Sequence, residues 1–165
     1  MLSPEGGPIH PAAELLLFLA ARAQHVAEKI RPALESGQVV VCDRFTDATI
    51  AYQGGGRSMP EELLGRLNEL STGGILPDRT YLLDVEVETG VQRAGARGQG
   101  RGRDRIEREL PSFFESVRKR YLEIAKRDPE RILLLRGTDP IQDLRRQIID
   151  NALSLLRSLD LHPSR

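Results

Sequence analysis

Three short apolar runs are spaced along this chain, with long helical patterns between them. The first, Gln38-Val39-Val40-Val41-Cys42, is β-branched and apolar on both faces; Thr80 to Val85 and Ile132 to Leu135 are the other two. Runs without polar alternation suit parallel strands covered on both sides. Strands alternating with helices predict an α/β fold built on a parallel sheet. Ligands of such sheets sit beyond the carboxyl ends of the strands. Chemistry is therefore expected at Asp43-Arg44, in the loop after Val85 and in the loop after Leu135.

The helices can be read between these strands. Pro11 suits a first helical position, and apolar residues from Leu15 to Leu34 form a wide face. Pro32 should bend or restart that helix, and Gly37 should stop it. A polar, glycine-rich stretch then runs to Gly54-Gly55-Gly56. Pro60-Glu61-Glu62 opens a second helix carried by Leu63, Leu64, Leu67 and Leu70, and Gly73-Gly74 with Pro77-Asp78 forms a turn. Further helices are predicted over Thr89–Arg97, Glu107–Lys126 and Pro140–Leu159, with a Gly/Arg-rich loop near residues 98–106. No internal repeat is visible, and residues 1–165 read as a single domain.

Composition excludes several classes. Apolar residues make up 39% of the chain, enough for a core. Formal net charge is zero, with 24 basic and 24 acidic residues, which argues against a nucleic-acid partner. Only 3 of the basic residues are Lys, and six Arg fall between Arg93 and Arg108. Such clustering suits an anion that needs forked, planar donors. The lone Cys42 allows no internal disulfide and fits a reducing, cytoplasmic setting. The run Leu15 to Ala21 is too short to span a membrane and lacks the flanks of a targeting signal.

Four elements carry candidate chemistry, and each has a plain structural alternative. Arg44 can grip a phosphate while Asp43 orients it; an ion pair capping the next helix would explain the pair as well. Tyr52 and Gln53 offer a ring, a hydroxyl and a paired donor and acceptor, or else an ordinary turn with a packed tyrosine. Phe18 and Arg22 project from one helix face, as a base stack and an edge contact or as a core ring with a snorkelling cation. The arginines from Arg93 onward suit phosphoryl transfer, where catalysis is mostly positioning and charge stabilisation, or else form a solvated loop.

Taken together, Phe18 with Ala20-Ala21-Arg22, Cys42-Asp43-Arg44-Phe45, Ala51-Tyr52-Gln53-Gly54-Gly55-Gly56-Arg57, Pro77-Asp78, Leu83-Asp84-Val85 and Asp104-Arg105-Ile106-Glu107 resemble bacterial thymidylate kinases in order and spacing. The resemblance runs from Met1 to about Asn151. It implies a P-loop-kinase-like parallel sheet flanked by helices and transfer of a phosphoryl group from ATP, carried with Mg²⁺, to dTMP. By the same resemblance Phe18 stacks on thymine and Arg22 contacts base and nucleotide. Arg44, with Asp43 beside it, holds the dTMP phosphate, and Thr49, Tyr52 and Gln53 line base and deoxyribose. Arg97, Arg101, Arg103 and Arg105 belong to a lid, residues 98–106 with its stem, that acts on the transferring phosphoryl; Arg97 also faces ATP. Gly137, Thr138 and Pro140 match the adenine loop. A cytoplasmic homodimer is implied, for which the apolar helix from Glu14 to Leu34 is the candidate surface.

The sequence departs from the family at Ala48, where a serine is common, and at Arg136, where an acidic residue is common. It also contains no Gly-Lys pair and so no Gly-Lys-Ser/Thr phosphate loop. The first two strands of the family fold have no counterpart in it, so a shortened reading frame or a fragment is expected, without measurable kinase activity of its own. A dTMP-binding remnant and one piece of a split kinase are the alternatives.

Overall fold

A computed structural model describes residues 7–97, 106 and 109–160. Helix α1, Pro11–His25, opens with His10, whose side chain accepts from the Ala12 amide, and with Pro11, which has no amide to satisfy. It continues through a π-helical stretch, Val26–Ile30, into α2, Arg31–Glu35. Pro32 explains the change of pitch, because it cannot donate back to the preceding turn. Gly37 follows at φ +75°, so the expected restart at Pro32 and the stop both fall where the sequence placed them.

The expected strand at Gln38–Cys42 does not form. Val39 and Val41 stand 66% and 94% exposed. A strand exists only against a partner, and the sheet among the described residues has two strands, neither of which is this segment. The stretch after it is also different from expectation. Thr46–Thr49 forms α3, and Ile50–Gly56 continues as a second π-helical turn.

Helix α4, Glu61–Thr72, carries Glu61 and Glu62 in its first turn, where the helix dipole favours them. Gly73 ends it in the left-handed region at φ +59°, its amide bonded to the Glu69 carbonyl at 2.8 Å. Leu15, Leu19 and Leu64 form a core with Ile50, Met59 and Leu67 around it. Helix α5 is Val87–Arg97, and α6, Pro111–Arg127, starts four residues later than predicted because Pro111 is a natural first residue.

Strands β1, Thr80–Asp84, and β2, Ile132–Arg136, pair in parallel from Thr80 with Ile132 to Asp84 with Arg136. Helix α7, Ile141–Asp160, follows β2, and Tyr81 donates its hydroxyl to Asn151 at 3.1 Å. The chain divides into two compact units, Met1–Leu76 with Val87–Ile124 and Pro77–Glu86 with Ala125–Arg165. No described helix is long and apolar enough to cross a membrane.

Candidate acceptor site

The turn after Cys42 presents Arg44 at φ +63°, a left-handed conformation that an Arg rarely adopts. Such a residue costs about 1–3 kcal/mol and persists only where its surroundings enforce it. The surroundings here are specific. The Cys42 thiol donates to the Arg44 carbonyl at 3.4 Å. Arg22 donates through Nη2 to the Phe45 carbonyl at 3.0 Å and to Thr49 Oγ1 at 2.7 Å, and through Nη1 to Asn68 Oδ1 at 2.7 Å. Asn68 Nδ2 in turn donates to the Thr46 carbonyl at 3.2 Å. Burial pulls the Arg22 guanidinium below its ordinary value, with the Cys42 sulfur opposing. Burial also pushes the Cys42 thiol up.

Arg44 itself is exposed, with its guanidinium carbon 5.1 Å from the centre of the Tyr52 ring. The ion pair with Asp43 that would have been the plain alternative is not formed. Tyr52 meets Phe113 edge-on at 6.1 Å and Tyr121 at 6.3 Å. Phe114 lies 5.5 Å from Phe113. Burial, then the neighbouring Tyr52, holds the Tyr121 phenol well above the usual range, with Arg44 pulling the other way. The glycine run explains how α6 can come so close. A Cβ on Gly55 would sit 2.7 Å from the Ser116 carbonyl, and one on Gly56 2.3 Å from the Phe113 ring.

Beneath this surface lies a buried carboxylate. Glu14 is 1% exposed and receives Gln53 Nε2 at 3.1 Å, Arg57 Nε at 3.4 Å and Arg57 Nη2 at 3.4 Å. Arg57 also reaches Glu109 at 2.6 Å and covers the Phe113 ring at 4.7 Å. Burial alone would lower the Arg57 guanidinium, but its bonds to Glu109 and Glu14 raise it overall. A buried charge needs such partners.

Of the residues singled out from sequence, Arg22 and Thr49 touch one another, and Arg44 and Tyr52 touch one another. Thr49, 2% exposed, faces Arg22, and Gln53 is buried against Glu14. Asp43 is exposed and Phe18 half-buried on α1. Gly137, Thr138 and Pro140 fall in the second unit. There the Gly137 amide donates to the Asp84 carbonyl at 2.7 Å, and a Cβ would lie 2.5 Å from Val85. Arg97 closes α5, while Arg101, Arg103 and Arg105 lie outside the described residues, as does most of the expected lid. Among the described residues no group of three acidic, His or Cys side chains could hold a metal ion.

Glu14, Asn68, Phe113 and Tyr121 were not found from sequence. Glu14 carried a signal, since Glu14, Phe18 and Arg22 recur at the helical spacing of four on α1. The other three depend on contacts between distant elements.

The thymidylate kinase family model matches residues 1–148. A thymidylate kinase of Desulfovibrio desulfuricans is 48% identical over 148 residues, 87% of this chain and 68% of that protein. One from Pseudomonas putida is 48% identical, covering 90% of this chain and 70% of the relative. Among solved structures, a thymidylate kinase from Ehrlichia chaffeensis superposes with a TM-score of 0.70 at 29% identity, covering 90% of this chain and 69% of its own.

Proposed function

The chain belongs to the thymidylate kinase family, and from that premise we propose that its first unit carries the dTMP-binding residues of a dTMP kinase. The observation that carries the reading is Arg44. It is exposed at the end of a strained turn, stacked on Tyr52, and has no ion-pair partner among the described residues. A forked guanidinium in that setting suits a phosphate monoester. Phe18 stacks on the base, and Tyr52 bounds the deoxyribose. Arg22 and Thr49 act on the site as one hydrogen-bonded unit, and Gln53 acts through Glu14. Arg97, Arg101, Arg103 and Arg105 are assigned, by resemblance, to the charge of the transferring phosphoryl, and Gly137, Thr138 and Pro140 to the adenine side.

ATP is the co-substrate and brings its own Mg²⁺. The described residues offer no cluster of ligands for that ion. The sequence also has no Gly-Lys pair to cradle the ATP phosphates. The exposed Leu16 and Leu17 of α1 support pairing of two copies through that helix, and the lone Cys42 suits a cytoplasmic protein.

Thermal unfolding with and without dTMP, beside an ADP-release assay with Mg²⁺-ATP, tests this. The expected result is a rise in Tm with dTMP, since a ligand that binds only the folded state stabilises it, and turnover far below the ordinary kinase range of about 1–100 s⁻¹. An unchanged Tm at saturating dTMP would contradict the binding assignment. Ordinary turnover would show instead that this chain is a complete kinase.

A further inference from the structure

The strained Arg44 turn lacks the support a turn before a helix normally has. Phe45 precedes α3 with φ −138° and ψ −136°, and no side chain caps the helix start. The two carbonyls directly after Arg44 accept from the helix itself, through the Ala48 and Ile50 amides, and each takes a second bond from outside, that of Phe45 from Arg22 and that of Thr46 from Asn68. Asn68 sits on α4, 6% exposed, and also accepts from Arg22 at 2.7 Å. Its amide thus works in both directions, with the oxygen toward a cation and the nitrogen toward a carbonyl. Only that orientation satisfies both neighbours. Aspartate would keep the bond from Arg22 but turn a carboxylate oxygen on the Thr46 carbonyl. Serine is too short to bridge them.

We infer that Asn68 is a positioning residue of the acceptor site: by linking Arg22 to the Thr46 carbonyl it holds the turn that presents Arg44. Asn68 touches no substrate, and its effect passes through the backbone of residues 44–46. The inference rests on the reading of Arg44 as the phosphate ligand. The alternative is that Asn68 merely fills a buried polar position, in which case its loss would weaken every property of the fold alike.

The test uses the whole chain with Asn68→Asp and Asn68→Ser, two changes of opposite kind, so that one poorly folding variant does not decide it. Calorimetry gives the affinities for dTMP and for thymidine, which lacks the phosphate. The expected result is at least a tenfold fall in the preference for dTMP over thymidine in both variants, with thymidine affinity nearly unchanged. NMR gives the second readout. A positive φ brings the amide and α protons of one residue close, and the strong intraresidue cross-peak of Arg44 should weaken in both variants. Variants that keep both the preference and the cross-peak would overturn the inference. If the unaltered chain shows no preference for dTMP over thymidine, the reading of Arg44 fails. The cross-peak then decides the role of Asn68 by itself: weakening supports it, and no change overturns it.

Discussion

Arg44 is where backbone and chemistry meet. Its φ of +63° is unfavourable for any side chain and free for glycine. Arg44→Gly is therefore expected to raise stability by about 1 kcal/mol while abolishing the preference for a phosphate. Arg44→Ala should lose the phosphate and keep the strain. Urea unfolding of the two variants separates the effects, and a glycine variant less stable than the alanine one would contradict the strain. Tyr121 gives a second expectation. Burial lifts its phenol, so the folded state holds that proton more tightly than the unfolded chain does. This contribution is complete below the ordinary phenol value of about 10 and is lost as pH rises from there through the raised folded value. The stability advantage over Tyr121→Phe should thus shrink from pH ~9 to pH ~11; an advantage constant across that range would show that the phenol is not buried as described. At this scale Arg44 drew notice from an expected strand end, although that strand does not form, and Arg22 from the helix face it shares with Phe18. Asn68, Phe113 and Tyr121 act across distances of the chain that no local pattern records.

The elements were mostly legible, and the two misreadings have a common cause. The segment up to Gly54-Gly55-Gly56 was read only as a polar, glycine-rich stretch, whereas it is helical and its glycines serve close approach: the π-helical turn packs so tightly on α6 that no Cβ fits at Gly55 or Gly56. Gln38–Cys42 was read as a strand from composition, but pairing is a property of two segments, and Val41 is 94% exposed. Helix ends fared better, because Pro11, Pro32, Gly37 and Gly73 impose their own geometry. The glycine account can be measured by a matched pair. Gly65, inside α4, has open space where a Cβ would go, so Gly65→Ala should stabilise by about 0.8–1 kcal/mol through helix propensity. Gly56→Ala meets the Phe113 ring and should destabilise by about 1–3 kcal/mol. Thermal melts in which both changes have the same sign would refute the explanation.

For the molecule as a whole, the alternation of strands and helices and the ordered set of short motifs were enough to point to the family, which the match over residues 1–148 establishes. The two-unit division was not legible, because no composition shift marks Leu76 or Val87. On the proposed reading the dTMP contacts come from residues that need no ATP phosphate loop, so the account makes binding of dTMP a property separable from transfer. Calorimetric titration of the chain with dTMP, repeated with thymidine and with Arg44→Ala, tests this most directly. The account predicts binding of dTMP at least tenfold tighter than thymidine, and loss of that difference in Arg44→Ala with thymidine binding retained. Equal binding of dTMP by the unaltered chain and by Arg44→Ala would contradict it.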